Sequence, residues 1–279
     1  MWPKVSILLC TYNAWEYIIP TIKSILSQTY NNFELLILDN NSKDNTKKNI
    51  QTQKDPRIQL FPSEKNLWPY AGLNFLLEKA TWTYIAIQDH DDIRHPQKLE
   101  KQIFFLENNH KYIWCGTKTL MRYEWDQKWF EYYLWEENYY TIHPSLVFRN
   151  DQKYRYPNTV YMADALFQKQ ILCKGEKLIY NLDETLTMHR IKNGSTNYSY
   201  KRYKFTQQNL KTVFSLHPIW YATFATAFEL MRKCIYPILH KIKIWYLIDK
   251  IERLPFVLQG YKVKRYDKNN LEKRKFILS

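Results

Sequence analysis

Three carboxylates follow a short apolar run near residue 90. The run Tyr84-Ile85-Ala86-Ile87 leads into Gln88-Asp89-His90-Asp91-Asp92, so the acids lie where a buried strand is predicted to reach the surface. Neighbouring carboxylates repel each other and are costly to remove from water. A divalent cation relieves both costs, since Mg²⁺ and Mn²⁺ prefer carboxylate oxygen and bring a diphosphate with them. A solvated acidic turn is the alternative, because aspartate is common in turns.

Alternating strand and helix patterns precede and surround these acids. Short apolar runs predict strands at 4–10, 33–38, 57–61 and 83–87, with helical patterns between them. Pro20 lies inside the first helical pattern and predicts a kink or a late start, whereas Pro69 and Pro96 are placed to open later helices. This order predicts an α/β fold with a doubly wound, mostly parallel sheet flanked by helices.

Such a sheet would collect polar side chains at one edge. Ligands bind doubly wound sheets beyond the carboxyl ends of the strands. Asn13, Asp39 and the acids from Asp89 to Asp92 all follow predicted strand ends. Their common position favours a binding site over a solvated turn.

Weaker patterns continue the chain. Residues 111–150 are aromatic-rich and predict short strands, including a hairpin over 123–135. A helix is predicted over 161–173, with Asp164 in its first turns, and a strand over 184–190. Two or three helices are expected from about residue 200.

Composition excludes several classes of protein. With 279 residues, 45% hydrophobic and 17% aromatic, the chain is able to bury a core, so disorder is not expected as its main state. Its four cysteines are far apart, which argues against a disulfide framework or a zinc site and suits a reducing compartment. The apolar run at the N-terminus is too short for a signal peptide. A cytoplasmic protein is therefore expected.

Positive charge is concentrated near the C-terminus. The net charge is +14, and residues 232–279 contribute 13 − 4 = +9 from thirteen Lys or Arg and four Asp or Glu. From 217 to 258 apolar and basic residues interleave, as in a helix that lies on an anionic membrane. A helix packed on the rest of the protein with a solvated basic face is the alternative. No nucleic-acid motif is present, so nucleic acid is not an expected partner.

Several motifs in order give the chain a family resemblance. It resembles family 2 glycosyltransferases, closely over about residues 3–107 and loosely over 143–196. The segments that carry the resemblance are Val5 to Asn13, Ser24 to Tyr30, Phe33 to Ser42, Asn66 with Gly72 to Asn74, and Tyr84 to Asp92. The resemblance implies a GT-A fold, with a nucleotide-sugar-binding and catalytic domain at 1–198 and a helical, basic, amphipathic region at 199–279.

The resemblance also implies roles for residues at the strand ends. The predicted nucleotide-sugar contacts are Thr11, Tyr12, Asn13, Asp39, Asp89 and Arg190. Tyr12 and its neighbours would contact the nucleobase, Asp39 would accept a hydrogen bond from it, and Asp89 would face the ribose. Asp91 would bind the metal, Mn²⁺ or Mg²⁺. Alternatives are a turn-capping Asp39 and an Arg190 that is only a surface cation.

Further positions depart from the family pattern. Asp164 matches the catalytic base of these inverting enzymes, with Ala163 in place of the usual preceding acid; a helix N-terminal acid is the alternative. Lys192 stands where histidine is usual, and it would contact phosphate only as a charge. His189 is predicted to be a packed strand residue. Most of the aromatic cluster is assigned to core or subunit contact, and an acceptor groove that stacks on sugars is the alternative. The cluster consists of Trp125, Trp129, Tyr132, Tyr133, Trp135, Tyr139 and Tyr140.

These expectations define an activity. The resemblance implies a metal-dependent, inverting glycosyltransferase that moves a sugar from a nucleotide-diphosphate sugar to a glycan or lipid-linked acceptor. Contact with the inner face of the membrane is a further expectation for its location. The alternative is a non-catalytic protein that binds nucleotide or polyanion on a degenerate scaffold of the same fold.

Overall fold

The computed structural model describes most of the first 192 residues and parts of the rest. The described ranges are 2–124, 128–133, 137–138, 141–158, 163–170 and 178–192, then separate positions between 206 and 234, and the strand at 262–266.

Four parallel strands form one half of the sheet, as predicted. They are β1 (Val5–Thr11), β2 (Phe33–Asp39), β3 (Ile58–Pro62) and β4 (Tyr84–Asp89). Their spatial order is β3-β2-β1-β4. The side chains of β1 and β2 are almost all buried, which explains why their sequences are continuous apolar runs and do not alternate.

Helices cover both faces of these strands. They are α1 (Ile18–Leu26), α2 (Thr46–Gln51), α3 (Pro69–Lys79), α4 (Lys98–Asn108) and α5 (Ala163–Lys169). Pro20 lies in the first turn of α1, where its missing N–H costs little, so the predicted late start is confirmed. Pro69 is the first residue of α3, and α4 begins two residues after Pro96.

The other half of the sheet is mixed. Its strands are β5 (Ile93–Arg94), β6 (Trp114–Tyr123), β7 (Lys128–Tyr133), β8 (Glu137–Asn138), β9 (Val147–Arg149), β10 (Ile179–Ile191) and β11 (Lys262–Tyr266). Strand β9 joins β4 to β6 by antiparallel pairing. The predicted hairpin is formed by β6 and β7, although β6 begins earlier than expected. Strand β10 extends the predicted 184–190 at both ends and pairs in parallel with β6.

The C-terminal part contributes to the sheet, which the sequence did not predict. Strand β11 pairs antiparallel with β7, from Lys262 opposite Tyr133 to Tyr266 opposite Trp129. The described positions between 207 and 234 are helical, as expected. Most of the proposed amphipathic segment lies outside the described residues. The domain division at residue 198 stays a prediction. Strand β11 belongs to the predicted C-terminal region but pairs with β7 of the predicted catalytic domain.

Two apolar clusters lie on opposite faces of the sheet. Alternate residues of β1 point to each face: Ile7 packs with α1 and α4, whereas Leu8 packs with α3 and α5. Of the aromatic cluster, Trp129 and Tyr132 are buried, in agreement with a core role. Because helices pack on both faces of the sheet, the doubly wound α/β architecture is confirmed.

Within the described ranges we find no helix that is both long and apolar enough to cross a membrane.

Candidate active site

The register of the parallel strands brings predicted site residues together. Thr11 lies opposite Asp39, and Cys10 lies opposite Asp89. Burial, and after it the nearby carboxylates of Asp89 and Asp39, raise the pKa of the Cys10 thiol to about 12. Thr11, Asp39 and Asp89 therefore share the carboxyl edge of the sheet.

The turn after β1 is tied to the loop after β2. Asn13 adopts a positive φ of 48°. Its backbone N–H donates to Ser42 Oγ at 3.0 Å, and its Oδ1 accepts from the Lys43 N–H at 2.8 Å. Tyr12, which precedes it, is 41% exposed, so its ring is accessible to a stacking ligand. Asparagine suits this turn because its side chain tolerates the left-handed conformation.

Asp39 and Thr11 are less accessible than Tyr12. Asp39 is buried, and its Oδ1 accepts from the Ser42 N–H at 3.3 Å, which is the turn-capping role that the sequence allowed. A contact between Asp39 and a nucleobase stays a prediction. The Thr11 hydroxyl is buried and, within the described ranges, has no hydrogen-bond partner.

A buried polar pair shapes the acidic segment. Gln88 Nε2 donates to the backbone carbonyls of Asp89 at 2.9 Å and of Asp92 at 3.0 Å. Arg94 holds Gln88 in place, since its Nε donates to Gln88 Oε1 and its Nη2 donates to the Ile87 carbonyl. The buried side chains of Gln88 and Arg94 therefore fix the backbone conformation of the segment that carries the three acids.

Asp92 joins the acidic segment to β10. It is fully buried, and its carboxylate contacts His189 Nδ1 at 2.8 and 2.9 Å and accepts from the Arg190 N–H at 3.0 Å. Burial alone would lower the pKa of His189, but Asp92 outweighs it and raises this pKa to about 9. The pair is thus an imidazolium with a carboxylate. The sequence indicated Asp92 only as the third acid of the cluster and predicted His189 to be a packed strand residue, so their pairing was not predicted.

Asp89, Asp92 and His189 converge on one point. One potential ligand atom from each lies within 4.8 Å of the other two. Burial, and after it the charge of the neighbouring Asp92, raise the pKa of Asp89 to about 7. This raised pKa indicates surplus negative charge that a cation would neutralise. Two carboxylates and a neutral imidazole suit Mn²⁺, so these residues fit a divalent metal when its binding displaces the proton of His189.

Asp91 has a cationic partner of its own, Lys192. Its Oδ2 lies 2.8 Å from Lys192 Nζ. Burial would raise the pKa of Asp91, but His90 and Lys192 outweigh it and keep this pKa below its ordinary value. The predicted metal ligand is therefore an ionised carboxylate that already has a cationic partner.

Arg190 and Lys192 converge on one aromatic ring. Arg190 Cζ lies 5.1 Å and Lys192 Nζ 3.9 Å from the centroid of Tyr17. Arg190 Nε donates to the Asp91 carbonyl at 3.0 Å, and its Nη1 lies 3.7 Å from Glu124 Oε1. Arg190 is thus part of the acidic centre rather than an isolated surface cation.

Asp164 lies on the same side of the sheet as Asp89. It is in the first turn of α5 and half-buried. Burial raises the pKa of Tyr70 and of Tyr156 well above the ordinary value, and the charges of both Asp164 and Asp89 add to each shift. Because Phe167 of α5 packs on the same face of the sheet as Ile85 and Ile87 of β4, α5 and its Asp164 lie on the face to which Asp89 belongs.

His143 fixes one of these tyrosines. His143 Nε2 and the Tyr156 hydroxyl are 2.7 Å apart, and the Tyr156 ring stacks on Phe167 of α5 with centroids 4.0 Å apart. Burial lowers the pKa of His143. The wall next to Asp164 is therefore a packed aromatic layer with a neutral histidine.

The surplus charge at Asp89 makes a stability prediction. Replacing Asp89 by asparagine is expected to stabilise the metal-free protein at pH 8 by about 2 kcal/mol. The folded pKa, about 7, exceeds the unfolded value, so the stabilising effect of the protonated group is complete below about pH 4 and is lost as the pH rises through 7. Asparagine removes that loss.

Urea unfolding in EDTA at pH 5 and pH 8 measures this effect. The advantage of Asp89→Asn should be clearly smaller at pH 5 than at pH 8, because stability is lost progressively between about pH 4 and pH 7. Asp183→Asn, at a side chain that is 72% exposed, is the matched control and should show little change with pH. An Asp89→Asn variant that is less stable than the wild type at pH 8 would contradict the prediction.

Comparison with known proteins identifies the family. The model of the glycosyl transferase family 2 matches residues 6–169. The Escherichia coli UDP-Glc:alpha-D-GlcNAc-diphosphoundecaprenol beta-1,3-glucosyltransferase WfgD is 40% identical over 117 residues, which are 42% of this chain and 46% of that protein. The chain thus spans about half the length of this relative.

Solved structures show the same fold. Staphylococcus aureus TarS 1-349 in complex with UDP-GlcNAc has a TM-score of 0.62 at 18% identity, covering 76% of this chain and 65% of that one. The mannosyltransferase PcManGT from Pyrobaculum calidifontis, in complex with GDP-Man and Mn²⁺, has a TM-score of 0.61 at 14% identity, covering 92% and 84%.

The fold is thus of the GT-A type, in which helices flank a sheet with its polar edge at the carboxyl ends of the strands. Because the family model matches more than half of the chain, the protein belongs to glycosyl transferase family 2. The predicted fold and family are both confirmed.

Proposed function

We propose that the protein transfers a sugar from a nucleotide-diphosphate sugar to a hydroxyl group of a glycan or lipid-linked acceptor, with inversion. One observation carries this proposal: Asp89, Asp91, Arg190 and Lys192 meet at the carboxyl edge of the parallel strands, with Asp164 on the same side. The name of WfgD supports a nucleotide-sugar donor and a diphosphoundecaprenol-linked acceptor.

The donor would lie along the strand ends. Tyr12 would stack on the nucleobase, with Thr11, Asn13 and Asp39 around it, and Asp89 would face the ribose. Arg190 would contact the diphosphate, because it already lies beside the Asp91 carbonyl. Fixed charges at that position favour departure of the diphosphate without reorganisation of the site.

A divalent metal, Mn²⁺ or Mg²⁺, fits the acidic centre. The proposed ligand is Asp91, and the cluster of Asp89, Asp92 and His189 supplies further donor atoms. When bound, the ion would neutralise charge on the leaving diphosphate. The complex of the Pyrobaculum mannosyltransferase contains Mn²⁺ together with GDP-Man, which supports this assignment.

Asp164 would act as the base. A half-buried carboxylate on the acceptor side would accept the proton of the attacking hydroxyl group. Attack on the anomeric carbon from the face opposite the diphosphate inverts its configuration. Tyr70 and the layer of His143 and Tyr156 would exclude water from this side. Contact with an anionic membrane at the inner face stays a proposal, since most of the C-terminal segment lies outside the described residues.

A thermal-shift panel tests the donor proposal. It uses UDP, GDP, dTDP, CMP and their sugars, with and without Mn²⁺, on the wild type and Asp91→Ala. We expect one nucleotide class to raise the melting temperature, more with Mn²⁺ than without, because binding to the folded state alone stabilises it. The shift should shrink in Asp91→Ala. No shift with any of these compounds in either condition would contradict the proposal.

A further inference from the structure

Lys192 places a positive charge at the acidic centre through its ion pair with Asp91. Lys192 Nζ is 2.8 Å from the carboxylate, and the side chains of Lys192 and Asp91 are 24% and 14% exposed. The same ammonium lies 3.9 Å from the Tyr17 ring centroid, so two different contacts fix its position. An ion pair with this little exposure is screened less by salt than one on the open surface.

The three acids are not equally neutralised. Asp92 has His189 and the Arg190 N–H, and Asp91 has Lys192. Asp89 forms no side-chain hydrogen bond or ion pair with the part of the chain that the structure describes. A divalent ion is therefore needed most at Asp89, whereas the charge of Asp91 is already balanced by the protein.

Two neighbouring cations face the same ring. Arg190 and Lys192 both contact Tyr17, and each has one acidic partner, Glu124 at 3.7 Å and Asp91 at 2.8 Å. Like charges held together in this way favour an anionic ligand. An ammonium has three donor hydrogens, so Lys192 is able to keep Asp91 and also to donate to a phosphate oxygen.

We infer that Lys192 is a permanent cation of the donor site. Its ammonium, held by Asp91 and Tyr17 beside Arg190, contacts the diphosphate and supplies part of the positive charge that would otherwise come from a divalent ion. Binding of a nucleoside diphosphate then persists without metal and depends on Lys192. This inference rests on the proposed function, because it requires a diphosphate at this edge.

Calorimetric titration of UDP, GDP and dTDP tests the inference in two buffers, one with EDTA and one with Mn²⁺. The wild type should bind its nucleoside diphosphate in EDTA within about tenfold of its affinity in Mn²⁺. Lys192→Gln should weaken binding in EDTA by at least about tenfold, and by less in Mn²⁺. Lys192→Arg should retain binding in EDTA because it keeps the charge.

Two controls separate the phosphate contact from a general effect. The nucleosides uridine, guanosine and thymidine lack the diphosphate, so their binding should be equal in the wild type and Lys192→Gln. Lys101→Gln removes a partly exposed lysine that pairs with Glu184 away from the acidic centre, and it should bind like the wild type.

The outcomes distinguish the two proposals. Strict dependence on Mn²⁺ in the wild type, or a Lys192→Gln variant that equals the wild type in both buffers, would overturn the role of Lys192 and leave the donor proposal standing. If no nucleoside diphosphate binds in either buffer, the donor proposal fails and the role of Lys192 fails with it.

Discussion

Replacing Asp164 by asparagine is expected to reduce sugar transfer by about 10²–10⁴-fold, while donor nucleotide affinity stays within about twofold. Asparagine has nearly the same shape as aspartate but accepts no proton at neutral pH. The fold around α5 should persist, because Phe167 and its stacking on Tyr156 are unchanged. Product formation with the donor identified by the thermal-shift panel measures transfer, and titration calorimetry measures affinity.

Asp151→Asn is the matched control for this experiment. Asp151 is exposed, pairs with Lys153 and lies in the loop after β9, so transfer should be close to that of the wild type. An Asp164→Asn enzyme with unchanged transfer would exclude Asp164 as the base. If the wild type binds nucleotide but transfers sugar to no acceptor offered, the non-catalytic binding protein becomes the better description.

Replacing Asp92 by asparagine is expected to destabilise the protein by about 3 kcal/mol. Removal of one member of a buried ion pair leaves the other charge without compensation. Here His189 would lose its anion, and the N–H of Arg190 would lose a charged acceptor. Donor affinity should fall as well, because these contacts hold β10, and with it Arg190 and Lys192, against the acidic segment. Urea unfolding at pH 7 measures the stability change.

A double-mutant cycle shows whether Asp92 acts through His189. In the Asp92→Asn/His189→Gln variant the loss should be clearly smaller than the sum of the two single losses, because residues in contact are coupled. Asp183→Asn also removes one negative charge, but from an exposed side chain, and should change stability by less than about 0.5 kcal/mol. Additive single losses would show that the two side chains stabilise the fold independently.

Much of the fold was predictable because its signals are local. Continuous apolar runs indicated β1 and β2, since both faces of these strands are covered. Pro20 and Pro69 indicated where helices begin, because an α-helix tolerates proline only in its first turn. The hairpin of β6 and β7 was also expected, but the early start of β6 was not, since an aromatic-rich segment has no clear period.

The site was predictable in part. The sequence predicted Asp39 and Asp89 at strand ends, and the family resemblance implied the same for Thr11. The register of β1 with β2 and β4 brings these three residues to one edge. Their roles in binding a donor remain predictions. Asp39 lies at the strand edge where a nucleobase contact is predicted, and its carboxylate also accepts a hydrogen bond from the Ser42 N–H in the turn.

The sequence by itself determined the order of strands and helices, the buried faces of those elements and the family to which the chain belongs. Only the tertiary structure decided which charges meet: Asp92 with His189, Asp91 with Lys192, and Arg190 beside both. It also decided that β11 completes the sheet. The reason is physical. Periodicity and proline placement act over a few neighbouring residues, whereas these contacts join residues about one hundred positions apart and depend on the register and burial of the finished sheet.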